Sequence, residues 1–219
     1  IVSTLTGGGR CLDCGAQGGQ SHDAICREIP FPSENYFGIE WNHASIRLGR
    51  QRGLNIIRGN LNDPLPYLDH SFACVFALSF LAQLTNGCRF ILECRRVLQP
   101  HGRLILLTPN ISTFFSIVQL LLGKMPSSGP HPDSSLLVAN EKPIQVSDNG
   151  PTDVEDAFPR HRHMVVFSYR VLKRYLRMVG FSDVKGFGFG LYPFPNSMQT
   201  VLERIDPYHC HQMVMVARK

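Results

Sequence analysis

Short apolar runs alternate with amphipathic stretches along most of this 219-residue chain, the pattern of a mostly parallel sheet covered on both faces. Residues 10–14 form the first run. A helix over 19–28 follows, closed by Pro30 and Pro32, which cannot continue it. The second strand, 36–40, leads into a helix over 44–52, with Gly53 placed as its C-terminal stop. Residues 54–58 read as a third strand, 59–69 as a loop rich in Asn, Asp and Pro, and 71–77 as a buried fourth strand. In the helix predicted over 88–98, Ile91, Leu92, Arg95 and Leu98 are spaced to turn an apolar side to the sheet. A turn at 99–102 then precedes a fifth strand, 103–108, ended by Pro109.

Residues 111–122 are apolar but include Ser, Thr and Gln, and stop at Gly123. They read as a buried or cap-forming helix, too short for the roughly 20 residues of a membrane span. From 124 to 160 periodicity is lost and Pro, Ser, Asp and Asn accumulate, which predicts an insertion or lid loop. Ser168 can cap a helix ending near Val179, with Gly180 as its stop. Strands over 181–187 and 212–217 complete the series. The expected architecture is a single α/β domain over 1–219, a Rossmann-like doubly wound sheet of seven strands. It is mostly parallel, has an antiparallel last strand and carries helices on both faces. Residues 186–207, with Phe187, Phe189, Tyr192 and Phe194, read as a substrate-side cap with an apolar pocket wall.

Composition narrows the function classes. Hydrophobic residues make up 43% and charged residues 18%, which describes a globular protein, and a net charge of +5 is mild. The arginines at 47, 50, 52 and 58, and the basic residues at 170, 173, 174 and 177, fall in helix-like stretches as solvated faces, so no nucleic-acid partner is expected. Seven cysteines, an odd number placed mostly inside elements, predict reduced thiols and a cytoplasmic location. Cys11 and Cys14 spell CxxC on a strand, where that spacing points side chains to opposite faces. His161 and His163 lie beside Arg160 and Arg162, and His209 and His211 would share one face of a strand. No metal site is expected. The chain opens at Ile1 with almost nothing ahead of the first strand, which reads as a missing N-terminal segment.

The candidate chemistry sits after the first strand. The turn Cys14-Gly15-Ala16-Gln17-Gly18-Gly19 is followed at the end of the next strand by Glu40. Glycine lets a strand turn sharply into a helix while its N–H groups approach a ligand, and an acid there can accept from both ribose hydroxyls. The pairing predicts a nucleoside cofactor site.

Four segments then match a family pattern in order. Leu12-Asp13-Cys14-Gly15-Ala16-Gln17-Gly18-Gly19 is similar to L-D-x-G-x-G-x-G. Residues 63–72 are similar to the L-P-F-x-D-x-S-F-D segment, and 93–104 to E-x-x-R-V-L-K-P-G-G-x-L. Thr108-Pro109-Asn110 matches T-P-N. The chain resembles class I S-adenosylmethionine-dependent methyltransferases, in particular the type 11 small-molecule group, closely over 10–110 and loosely over 160–219. The resemblance implies S-adenosyl-L-methionine as cofactor and a small-molecule methyl acceptor. It implies that Gly15, Gln17 and Gly19 pack against the methionine part, with Asp13 holding the turn or the cofactor's ammonium group. Glu40 would take the ribose hydroxyls, and Trp41 or Asn42 would flank the adenine. Asn60 and Leu61 stand where an acid and an apolar residue bind the adenine edge, and Ala77, Leu78 and Ser79 would lie beside the sulfonium. His161 and His163 are candidate bases.

Several positions depart from the pattern. Gln17 replaces a glycine, Asn60 and Ala73 replace acids, Ala82-Gln83 replaces a Glu-His pair, and Val165 stands where an Arg is common. They motivate a second reading, a catalytically inactive interaction or assembly protein on the same fold. A nicotinamide-dependent oxidoreductase is a weaker third, because residues 15–19 do not spell G-x-G-x-x-G.

Overall fold

A computed structural model describes residues 1–124 and 165–219. Its strands are β1 (Cys11–Cys14), β2 (Tyr36–Glu40), β3 (Asn55–Arg58), β4 (Phe72–Leu78), β5 (Leu98–Pro109), β6 (Ser182–Phe189) and β7 (Gln212–Arg218). They form one sheet in the order β3-β2-β1-β4-β5-β7-β6. The first five are mutually parallel where they pair, and β7 runs antiparallel to both β5 and β6. Chain order reverses between β1 and β4, and in open α/β sheets the crevice beyond the carboxyl ends of such strands is where ligands bind.

Strand periodicity divides the core. Leu12, Cys14, Val75, Ala77, Leu104 and Leu106 enter one buried cluster with Phe90, Ile91, Leu172 and Leu176. Cys11, Cys74, Phe76 and Ile105 enter the other with Leu5, Ile25 and Ile46. The helices follow suit. α4 (Gly87–Val97) and α6 (Tyr169–Met178) cover the first face, while α1 (Val2–Leu5), α2 (Gln20–Glu28) and α3 (His43–Gln51) cover the second. Cys11 and Cys14 thus sit on opposite faces, both fully buried, and all seven cysteines are free thiols.

The E-x-x-R segment is a structural clamp. Arg96 donates to both oxygens of Glu93, to Asp69 Oδ1 at 2.7 Å, and to the carbonyls of Leu65 and Tyr67 at 2.9 and 2.8 Å. Glu93 in turn accepts from the Leu65 N–H. The planar guanidinium fork therefore fastens α4 to the loop entering β4.

Two expectations are corrected and one is narrowed. The turn at 99–102 lies within β5: Leu98 pairs with Phe72, pairing resumes at Arg103 with Cys74, and the residues between bulge outward. His101 takes φ 65 there, and the bulge is held by His101 N–H to Lys219 O and Lys219 N–H to Gly102 O. Of the two readings of 111–122, buried or cap-forming, the helix α5 (Phe114–Leu121) excludes the buried one. It buries Ser116 and Gln119 and exposes Ile117, Val118, Leu120 and Leu121, because its N-terminal turn is set by the Thr113 cap and by Phe114 stacked on His209. His209 and His211 precede β7 and share no strand face: His209 bonds Asp206, and His211 meets Tyr192 edge-on. A helix that the sequence pattern missed, α7 (Asn196–Ile205), lies inside the expected cap. No helix among the described residues is long and apolar enough to cross a membrane.

Candidate functional site

The turn after β1 is built from left-handed backbone: Gly15, Gln17, Gly18 and Gly19 have φ of 98, 41, 74 and 93. Gln17 adopts with a side chain what glycine adopts freely, at a cost of about 1–2 kcal/mol. Its N–H donates to Glu40 Oε2 at 3.0 Å, and its side chain is exposed. The Gly15 and Ala16 N–H groups bond Ile39 O, and Arg52 donates to Gly18 O at 3.0 Å while pairing with Asp23. The turn is thus tied to β2 at one end and to the end of α3 at the other.

Glu40, nearly buried, accepts three backbone N–H groups: Gln17 on Oε2, and Trp41 and Asn42 on Oε1 at 2.7 and 2.9 Å. A carboxylate offers roughly four acceptor positions, so the remaining capacity lies on Oε2, beside the turn. Asn42 also caps α3 through the Ser45 N–H. Trp41 is 46% exposed, and the Arg58 guanidinium lies 4.8 Å from its ring centroid.

Asp13 is 1% exposed, with its carboxylate on the Tyr36 hydroxyl at 2.5 Å. Burial pushes its pKa up to about 6, opposed by the hydrogen bonds from Tyr36 and Ser21. That places Asp13 inside the fold beneath the turn, bracing β1 against β2. Asn60 turns its side-chain oxygen to the Asn62 N–H at 3.1 Å. Asn62 then accepts from Thr85 and from the Asn86 N–H, joining the loops after β3 and β4. Leu61 and Ala77 are in the core, and Leu78 is half-buried. The surface after β4 is therefore formed by Ser79 and Phe80, the latter a residue that the family pattern does not single out. A methyl group at Gly15 would overlap the Phe80 ring.

Beyond β5, Asn110 is a fully used amide. It donates to the carbonyls of Tyr208 and Cys210 at 2.7 and 2.9 Å, and accepts from the N–H groups of Ser112 and Tyr169 at 3.1 and 3.2 Å. This ties the end of β5 to the start of α6 and to the segment before β7. Motif matching found Asn110 but assigned it no role. The departures Ala82 and Gln83 also have structural partners: Ala82 O accepts the Val165 N–H, and Gln83 Nε2 donates to Ser79 O at 3.2 Å. His161, His163 and the insertion beyond Lys124 lie outside the described residues.

Residues 12–106, from β1 into β5, match the family model described as a methyltransferase domain. The matched stretch is a little under half of the chain. A phthiotriol/phenolphthiotriol dimycocerosates methyltransferase of Mycobacterium ulcerans is 35% identical over 98 residues, 43% of this chain and 34% of that protein. The chain therefore spans about a third of that relative's length. Among solved structures, an S-adenosylmethionine-dependent methyltransferase of Thermotoga maritima aligns with TM-score 0.59 and 15% identity over 100% of this chain and 87% of that one. One of Mesorhizobium loti aligns with TM-score 0.60 and 14% identity over 97% and 91%. A [4+2]-cyclase also aligns, with TM-score 0.55 and 16% identity over 97% and 74%. These likenesses establish the fold, and the last shows that the fold alone does not name the reaction.

The family that this stretch resembles implies S-adenosylmethionine. The residues present fit that group. The left-handed turn stands at the switch point, Glu40 keeps acceptor capacity on Oε2, and the half-exposed Trp41 offers an apolar face beside the acid.

Proposed function

We propose that the chain is an S-adenosylmethionine-dependent methyltransferase acting on a small, largely apolar acceptor. The observation that carries the reading is the Glu40–Gln17 bridge, which sets an acid against a left-handed turn at the switch point of a sequence-matched methyltransferase domain. In this reading Gly15, Gln17 and Gly19 cradle the methionine part, Glu40 accepts a ribose hydroxyl, Trp41 flanks the adenine and Asn60 meets its edge. Asp13 acts through the turn.

The cofactor supplies a methyl group already activated by its sulfonium. What remains for the protein is to bind, align and exclude water, and alignment of this kind contributes up to about 7–11 kcal/mol. A positioned base adds about 10²–10⁴-fold, and His161 and His163 are its candidates.

The acceptor class is inferred from the carboxyl edge. β6 runs parallel to β5, so residues 190–211 rise on the same edge as the turn, pinned there by Asn110. Phe187, Phe189, Tyr192 and Phe194 are exposed on it, as are Ile117, Val118 and Leu120 of α5. The Mycobacterium ulcerans relative, named for phthiotriol and phenolphthiotriol dimycocerosates, supports an acceptor outside nucleic acids and proteins.

Calorimetric titration with S-adenosylmethionine tests the cofactor, and transfer of a labelled methyl group to a panel of apolar alcohols and phenols tests the acceptor. Saturable one-to-one binding is expected. Absence of binding at millimolar cofactor would favour the non-catalytic scaffold that Gln17, Asn60, Ala82 and Gln83 also suit.

A further inference from the structure

Phe80 stands across the switch point from the glycine turn. Its ring lies against Gly15 so closely that no side chain fits between them. Its backbone is held on both sides. Ser79 before it takes φ 67, unusual for a residue with a side chain, and is fixed by its N–H to Leu107 O at 2.8 Å and by Gln83 Nε2 to its own carbonyl. After it, the Gln83 N–H closes on Phe80 O at 2.9 Å over a tight turn whose Leu81 and Ala82 are buried. The backbone is therefore fixed while the half-buried ring covers the turn.

We propose that Phe80 is a shutter on the cofactor turn, and that its ring must rotate off Gly15 before the methionine part of S-adenosylmethionine can bind. The proposal rests on the cofactor reading above. Gln83, where the family has His, keeps the Ser79–Phe80 backbone in place while the side chain moves. The apparent affinity is then the intrinsic affinity reduced by the fraction of molecules with the ring displaced. A minor state of this kind is populated at about 0.1–10%, so removing the ring tightens binding about tenfold or more.

The test is calorimetric and stopped-flow binding of S-adenosylhomocysteine, followed by Trp41 fluorescence, to the wild-type chain, Phe80→Ala and Phe80→Met. Phe80→Met keeps apolar volume and guards against a misfolded alanine variant. The shutter predicts a wild-type association rate that levels off at high ligand, a Phe80→Ala rate that does not, and affinities in the order Ala, Met, Phe from tightest to weakest. Binding by Phe80→Ala alone also supports it. Wild-type binding that is unchanged or weakened in both variants overturns the shutter and leaves the cofactor site standing. No binding by any of the three overturns both.

Discussion

Glu40 reaches from the end of β2 to the turn after β1 and accepts the Gln17 N–H on Oε2 at 3.0 Å. The same carboxylate holds Trp41 and Asn42 on its other oxygen, so one side chain shapes the turn, the placement of Trp41 and the α3 cap. Glu40→Gln retains one acceptor oxygen but sets an amide N–H₂ against a backbone N–H. Hydrogen bonds to charged groups contribute about 1.5–3 kcal/mol, so a loss of that order is expected in urea unfolding. S-adenosylhomocysteine affinity should fall about tenfold or more, since each 1.4 kcal/mol is a factor of ten.

Asn110 is expected to be one of the most sensitive polar positions in the chain. Asn110→Asp keeps the shape and the two acceptor roles but turns an acceptor toward the carbonyls of Tyr208 and Cys210. Leaving those buried groups unsatisfied costs about 1–3 kcal/mol, and the charge adds to it. Hydrogen exchange should show residues 206–211 and the first turn of α6 loosening together.

Thr108, two residues earlier, behaves oppositely. Its hydroxyl is buried and has no hydrogen-bond partner among the described residues. Thr108→Val preserves shape and removes the unpaired group, so stability should rise by about 1 kcal/mol, read as a higher urea midpoint with an unchanged slope. A lower midpoint would mean that the hydroxyl is hydrogen-bonded in solution.

Asp13 makes stability depend on pH in a defined direction. Its folded pKa is raised to about 6 from 3.8, so the folded state holds the proton more tightly than the unfolded one. The contribution is present in full below about pH 4 and is lost as pH rises through about 6. The difference corresponds to about 3 kcal/mol by pH 7. Asp13→Asn, which still accepts from Tyr36, should be more stable than wild type at pH 7 and lose that advantage by pH 4. Subtracting the two stability profiles removes the other carboxylates.

The strands and most helix ends were legible because apolar period, glycine stops and Ser, Thr or Asn caps act locally. β2 falls on its expected bounds, and Ser168 caps α6 through the Val171 N–H. Composition left α5 open between a buried and a cap-forming helix, because it says how apolar a helix is and not which side is turned inward. The bulge in β5 was missed because its cause is Lys219, more than a hundred residues away. At the site, the turn and its acid are local spellings and could be read. That Glu40 bonds Gln17, that Asp13 is sealed under Tyr36 and that Phe80 covers Gly15 are juxtapositions of separate strands, with no signature in any one segment.

The hydrogen bond from the Ile111 N–H to Phe167 O, next to the Asn110–Tyr169 bond, closes the base of the chain between them. Once a loop is closed at its base, doubling its length costs only about 0.6 kcal/mol more. The sheet therefore places almost no limit on how long residues 112–166 can be. A longer or shorter stretch there would leave the turn, Glu40 and Phe80 in register.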